Sequence, residues 1–359
     1  MPWTLIAPKE AYKWNDKLKN TDAPFYQYPY YVASEYKNAF AKSIFIKFTK
    51  KEKEIAYAAI IEIGFFPFKV GVIDSGPILL CDDVDLVEIV NELKIFAKEK
   101  SYMHLQVRPP FGSLLHSILK IDNSFESKIY FPFHKKVEFD SNIYNKPEKE
   151  LLAGFKLQCR RKIVLAARMP FKFFKVEDEK TLADIRRLFK EVTTTKGYGF
   201  LPFKIYEAIY KEGKKYNLCD FYAVYLNNEL VNVALIVKDA QSFYHYTSAL
   251  VIKGYKPNES PPAKLHFFIM QDCFYKEHKD YYNISFGGSD NLLRFKELFN
   301  PVEIERPPYY TFIIKKKLLG FLTRSSSNNT ARLRKFLKTI SSPFMQSFFY
   351  CIIPLHLCI

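Results

Sequence analysis

Glycine is scarce in this chain, 12 of 359 residues, and tryptophan scarcer still at 2. No Walker-type phosphate loop occurs, no nucleophile elbow of the G-x-S-x-G type, and no H-E-x-x-H metal motif. The six cysteines, Cys81, Cys159, Cys219, Cys273, Cys351 and Cys358, form no C-x-x-C pair and no Cys/His cluster with zinc spacing. No metal centre is therefore expected. Scattered cysteines of this kind fit reduced, mostly buried thiols in a cytoplasmic protein. The first residues, MPWTLIAPKEAYKW, lack a basic stretch followed by an apolar run and do not read as a secretory signal.

Acidic residues are missing from two tracts. Between Leu151 and Val176 stand Lys156, Arg160, Arg161, Lys162, Arg168, Lys172 and Lys175 with no Asp or Glu. From Ile313 to the end the chain again has basic residues only. Together these tracts account for nearly all of the net charge of +16. Concentrated charge of one sign implies a polyanionic neighbour: phosphate groups, RNA or an anionic membrane surface. A solvated basic face is the plainer alternative.

What is present is a globular composition, 48% hydrophobic and 17% aromatic, with length enough for two domains. Ile44–Phe48 and Ile55–Ile63 read as a hairpin about the charged turn Lys50–Glu54. Val70–Asp74 follows as a strand, Leu86 to Ala97 as a helix, and Met103–Val107 as another strand. The order then repeats. Phe221–Leu226 and Leu230–Val237 flank Asn227-Asn228-Glu229, Phe243–Ala249 is a third strand, Lys264–Glu277 a helix and Tyr281–Phe286 a strand. Tyr309–Lys315 is a late strand. A hairpin, strand, helix and strand occurring twice argue for a duplicated α/β domain. The expected divisions are a first domain over 1–150, a basic helical connector over 151–176, a second domain over 177–315 and a tail over 316–359. Leu151–Arg168 and Thr181–Thr194 read as helices, and neither is long enough for a coiled-coil arm.

Four segments carry a family resemblance: Asp74-Ser75-Gly76-Pro77; Arg160-Arg161-Lys162-Ile163-Val164-Leu165-Ala166; Phe286-Gly287-Gly288; and Phe295-Lys296-Glu297-Leu298-Phe299. In that order they resemble the Fem-type aminoacyltransferases that build peptidoglycan bridges, within the wider GNAT-like N-acyltransferases, and the lack of an arm points to the armless branch. The resemblance covers roughly residues 1–315. It implies two tandem GNAT-like domains, α/β (α+β) in class, each a mixed central sheet flanked by helices. It also implies transfer of an aminoacyl group from aminoacyl-tRNA to an amine of a cell-wall precursor, with no resident cofactor. The alternative is an acyl-CoA-dependent N-acyltransferase acting on an amino sugar or lipid-linked glycan. The usual Gly-rich CoA pyrophosphate loop is not seen; Val251–Pro262, with one glycine, occupies its place. A third reading is a degenerate duplicated domain that only binds membrane or RNA.

The chemistry assigns roles. An amine attacks an activated acyl carbon, negative charge gathers on the carbonyl oxygen, and a fixed cation or N–H there stabilises the transition state. On the resemblance, Lys296 is the expected catalytic cation. Gly287 and Gly288 would let backbone approach a substrate, Phe295 would line the site, and Arg160, Arg161 and Lys162 would hold tRNA or precursor phosphates. DNA is not an expected partner. His104, His134, His245 and His266 stand alone in sequence and read as structural. The tail, basic and then apolar over Phe344–Ile359, is too short to span a bilayer and suggests an anchor at the inner face of the membrane.

Overall fold

The computed structural model describes residues 2–35, 41–65, 68–82, 84–128, 133–138, 147–196, 200–285 and 290–314. Both expected hairpins form, and for one backbone reason. Lys51 and Glu52 take φ of 48° and 64°, and Asn227 and Asn228 take 49° and 65°. Positive φ at both central residues is the mark of a tight hairpin turn whose twist matches its strands.

The strands are β1 (Trp3–Ile6), β2 (Ala41–Lys50), β3 (Lys53–Phe65), β4 (Phe68–Ile73), β5 (Ile78–Leu79), β6 (His104–Val107), β7 (Phe125–Lys128), β8 (Phe133–Glu138), β9 (Phe171–Lys175), β10 (Cys219–Leu226), β11 (Glu229–Lys238), β12 (Ser242–Leu250), β13 (Tyr281–Asn283), β14 (Val302–Glu305) and β15 (Tyr309–Ile313). The first sheet runs β1-β2-β3-β4-β6-β15-β7, with β5 beside β3. The second runs β9-β10-β11-β12-β13-β8-β14. Within each path every pair is antiparallel except one, β4–β6 in the first and β12–β13 in the second. The two sheets thus share one order: three antiparallel steps, one parallel step, two antiparallel steps. This is the mixed α/β architecture that the repeated pattern predicts.

In the sixth position the halves trade strands. Local patterning assigns β8 to 1–150 and β15 to 177–315. The ladders place them otherwise: β8 pairs β13 and β14 in the second sheet, and β15 pairs β6 and β7 in the first. Accordingly one compact unit takes residues up to 130 together with 307 onward, and the other takes 131–306 apart from 199–201. The basic tract 151–176 lies in the second unit and ends in β9, the outer strand of its sheet.

In the first unit the helix Leu86–Glu99 starts where the Asp85 carboxylate accepts from the N–H groups of Val87 and Glu88, at 2.9 and 3.2 Å. Its Ile89, Val90, Leu93, Phe96 and Ala97 pack with Ile46, Phe48, Ile60, Leu105 and Val107. In the second unit the helix Leu157–Ala167 packs against Pro262–Gln271, burying Cys159, Ile163 and Ala166. No helix among the described residues is long and apolar enough to cross a membrane. The tail 316–359 lies outside the described residues.

Candidate functional site

Lys296 sits in the last turn of the helix Asp290–Glu297. The local pattern Arg294-Phe295-Lys296-Glu297 looks like an exposed turn, yet Lys296 is only 5% exposed. Packing explains it. Phe295 and Phe299 are one turn apart with ring centroids 5.4 Å from each other, and both rings face His266, at 5.7 and 5.3 Å. Phe299 also packs on Phe155 at 5.3 Å, and the Lys156 N–H donates to the Leu298 carbonyl at 3.0 Å. These contacts turn the Lys296 side of the helix inward.

What Lys296 meets there was not legible in the sequence. His266, on the helix Pro262–Gln271, and His245, on β12, have ring centroids 4.8 Å apart. Nδ1 of His266 shares a 2.6 Å hydrogen bond with the Tyr282 hydroxyl of β13. Nε2 of His245 is buried with no hydrogen-bond partner among the described residues. Burial, then the positive charge of Lys296, pulls the His266 pKa down to about 3. Burial, with His266 and Lys296 adding, holds His245 well below the ordinary imidazole range. Near neutral pH both rings are therefore uncharged, and the field they feel is that of the lysine ammonium.

The cluster lies where the parallel pair β12–β13 ends. Its last rung is Tyr244↔Asn283, and β12 then continues to Leu250 beside β11, with a bulge in their register near Tyr246. Ser285 takes a positive φ of 65°, its N–H held by the Asn283 side chain at 2.8 Å. Gly287 and Gly288, expected to approach a substrate, lie outside the described residues. Phe295 is half-buried against His266.

Arg160 and Arg161 are exposed, and Lys162 is half-buried. Just before their helix, Phe155 packs on Phe299 and the Lys156 N–H bonds the Leu298 carbonyl, beside the end of the Lys296 helix. Lys175, in the same basic tract, is no surface charge. It pairs with the fully buried Asp220 at 2.8 Å, which also takes Lys214 at 3.0 Å and the buried Lys238 at 2.5 Å, and Lys238 reaches Glu277 at 2.5 Å. No group of His, Cys, Asp and Glu among the described residues could hold a metal ion.

No protein-family model and no curated protein matches the sequence. Solved structures do. FemX superposes with a TM-score of 0.71 at 14% identity, covering 89% of this chain and 99% of its own. A conserved protein of unknown function from Bacteroides thetaiotaomicron gives 0.61 at 9% identity, covering 88% and 100%. The C-terminal domain of a putative lysylphosphatidylglycerol synthetase from Agrobacterium fabrum gives 0.56 at 11%, covering 89% and 97%. At the level of fold, the chain is similar to FemX.

Proposed function

We propose that this protein is an N-acyltransferase that forms an amide on an amino group of a cell-envelope precursor, with aminoacyl-tRNA as donor and Lys296 at the reacting carbonyl. The observation that carries the reading is the buried lysine set among neutral imidazoles. A positive charge held out of water stabilises charge developing on a nearby carbonyl oxygen more than one in solvent would. Neutral His245 and His266 add polarity without competing positive charge. The incoming amine attacks the acyl carbon, the carbon–oxygen bond of the donor ester breaks, and the proton lost by the amine passes to the departing hydroxyl or to solvent. The FemX-like fold and the synthetase-like fold both support an envelope precursor as acceptor.

A second reading, an acyl-CoA donor, is favoured by the length of β12 that runs past the last β13 rung. An extended amide arm such as pantetheine is the kind of ligand that lies beside a strand. The deciding experiment is single-turnover transfer by the full chain from labelled aminoacyl-tRNA and from labelled acyl-CoA to a lipid-linked amino acceptor. Amide formation from the first donor alone is expected. Transfer from CoA alone selects the second reading, and transfer from neither overturns both.

A further inference from the structure

We infer that the outer face of the helix Leu157–Ala167 is a docking surface for an anionic lipid bilayer. At about 100° per residue, Leu157, Arg161, Val164 and Arg168 fall within roughly 60° of arc, with Arg160 at the margin. Cys159, Ile163 and Ala166, buried against Pro262–Gln271, lie on the opposite side. The outer face is therefore fixed toward solvent by the packing of the inner one. Leu157 is 53% and Val164 50% exposed, and Arg160, Arg161 and Arg168 are exposed with them. Lys156 and Lys172 extend the charge at either end, and both are exposed. None of these five basic residues makes an ion pair among the described residues. The nearest acidic side chain in the turn packed against this helix, Glu259 of Pro257–Glu259, is occupied by the Lys256 N–H at 2.9 Å.

The mixture decides between polyanions. A phosphate backbone needs arginines and has no use for leucine and valine placed among them. A bilayer interface uses both, the guanidinium groups at the lipid phosphates and the aliphatic side chains and arginine stems against the upper acyl region. The face itself is complementary to an anionic surface, since residues 151–176 contribute basic side chains and no acid. The inference stands on the helix alone and survives if the acyl donor or Lys296 has been misassigned.

The test is sedimentation of the full chain with phosphatidylglycerol/phosphatidylcholine vesicles and, in parallel, filter binding to a tRNA pool. Arg160→Gln/Arg161→Gln/Arg168→Gln should lower vesicle partitioning on the order of 100-fold at low salt. Leu157→Ser/Val164→Ser should lower it roughly 10-fold, a loss that persists at high salt, where the electrostatic part is screened. All five side chains are exposed, so folding should not change. Vesicle binding equal to the parent in both variants, with the tail alone holding the protein on lipid, overturns the inference. So does a result in which the arginine variant loses tRNA and keeps vesicles.

Discussion

The two sheets build the same parallel step and finish it with different chemistry. In the first, the β4–β6 ladder runs Val70↔His104 to Ile73↔Val107 and is then carried further by bonds from Arg108 N–H to the Ile73 carbonyl and from Gly76 N–H to the Arg108 carbonyl. The cation at its end, Arg108, is 4% exposed and grips both Asp74 carboxylate oxygens through Nε and Nη2, with Nε 2.7 Å from the carboxylate. The Tyr309 ring covers it at 4.5 Å while its hydroxyl donates to Asp74 at 3.1 Å. Burial opposes that charge, but Asp74 more than offsets it and holds the arginine above its ordinary pKa. In the second unit Lys296, on the helix Asp290–Glu297, helps keep His266 and His245 neutral. One chain thus carries a buried cation paired to a carboxylate and a buried cation whose charge acts on two imidazoles. The first arrangement serves stability; the second suits chemistry.

The sharpest way to break this contrast is to remove each charge in turn. Arg108→Met should leave Asp74 uncompensated and lower unfolding free energy by about 3–5 kcal/mol in urea titration, and adding Asp74→Leu should restore much of it. Lys296→Met should act on catalysis, cutting single-turnover transfer on the order of 100- to 1000-fold, in turnover more than in binding. If Lys296→Met is merely unstable and transfers at the parent rate, the division of labour is wrong.

A smaller effect tests the field of the lysine. His266 titrates at about 3 when folded and near 6.5 otherwise. Below about pH 6.5 the unfolded chain takes up a proton that the folded protein refuses, so this contribution is complete above that pH and is lost as pH falls toward 3. The expected slope is about 1.4 kcal/mol per pH unit, or roughly 2 kcal/mol between about pH 7.5 and about pH 5. Urea midpoints at the two values measure it, and the slope should flatten in Lys296→Met. An identical slope would mean that burial alone sets the histidine. Smallest is Tyr282→Phe, which removes the partner of His266 Nδ1. A loss of about 1 kcal/mol is expected by thermal unfolding, with transfer reduced only modestly.

Much of this frame was legible because it is local. The hairpins, the helix Leu86–Glu99 and the strand at Tyr309 follow from alternation, helical spacing and turn residues, and Lys296 from its motif. Strand ownership was not legible, since a short segment such as Phe133–Glu138, with only Phe133 and Val137 apolar, does not say with which sheet it pairs. His245 and His266 read as isolated because they are on different elements, and only the fold brings their rings together. Lys175 read as part of a basic surface because its partner Asp220 comes much later in the chain. Lys296 itself has the charge pattern of an exposed turn, and the contacts that bury it come from Phe155, His266 and Phe299. Nothing in the sequence around the Leu157–Ala167 helix set its lipid-like face apart from an ordinary basic helix until the buried side was known.

The traded sixth strand has a consequence for biosynthesis. On the ribosome the first sheet is made up to β7 and must then wait, because Tyr310, the residue that pairs with Val107, is synthesised only after every strand of the second sheet. Until then β6 and β7 present hydrogen-bonding edges with no strand between them, a form open to mispairing with other nascent chains. A chain stopped before Tyr309 is thus not a protein with one good domain and a missing end. It is two sheets, one complete and one with a slot, and quality control would meet the slot first.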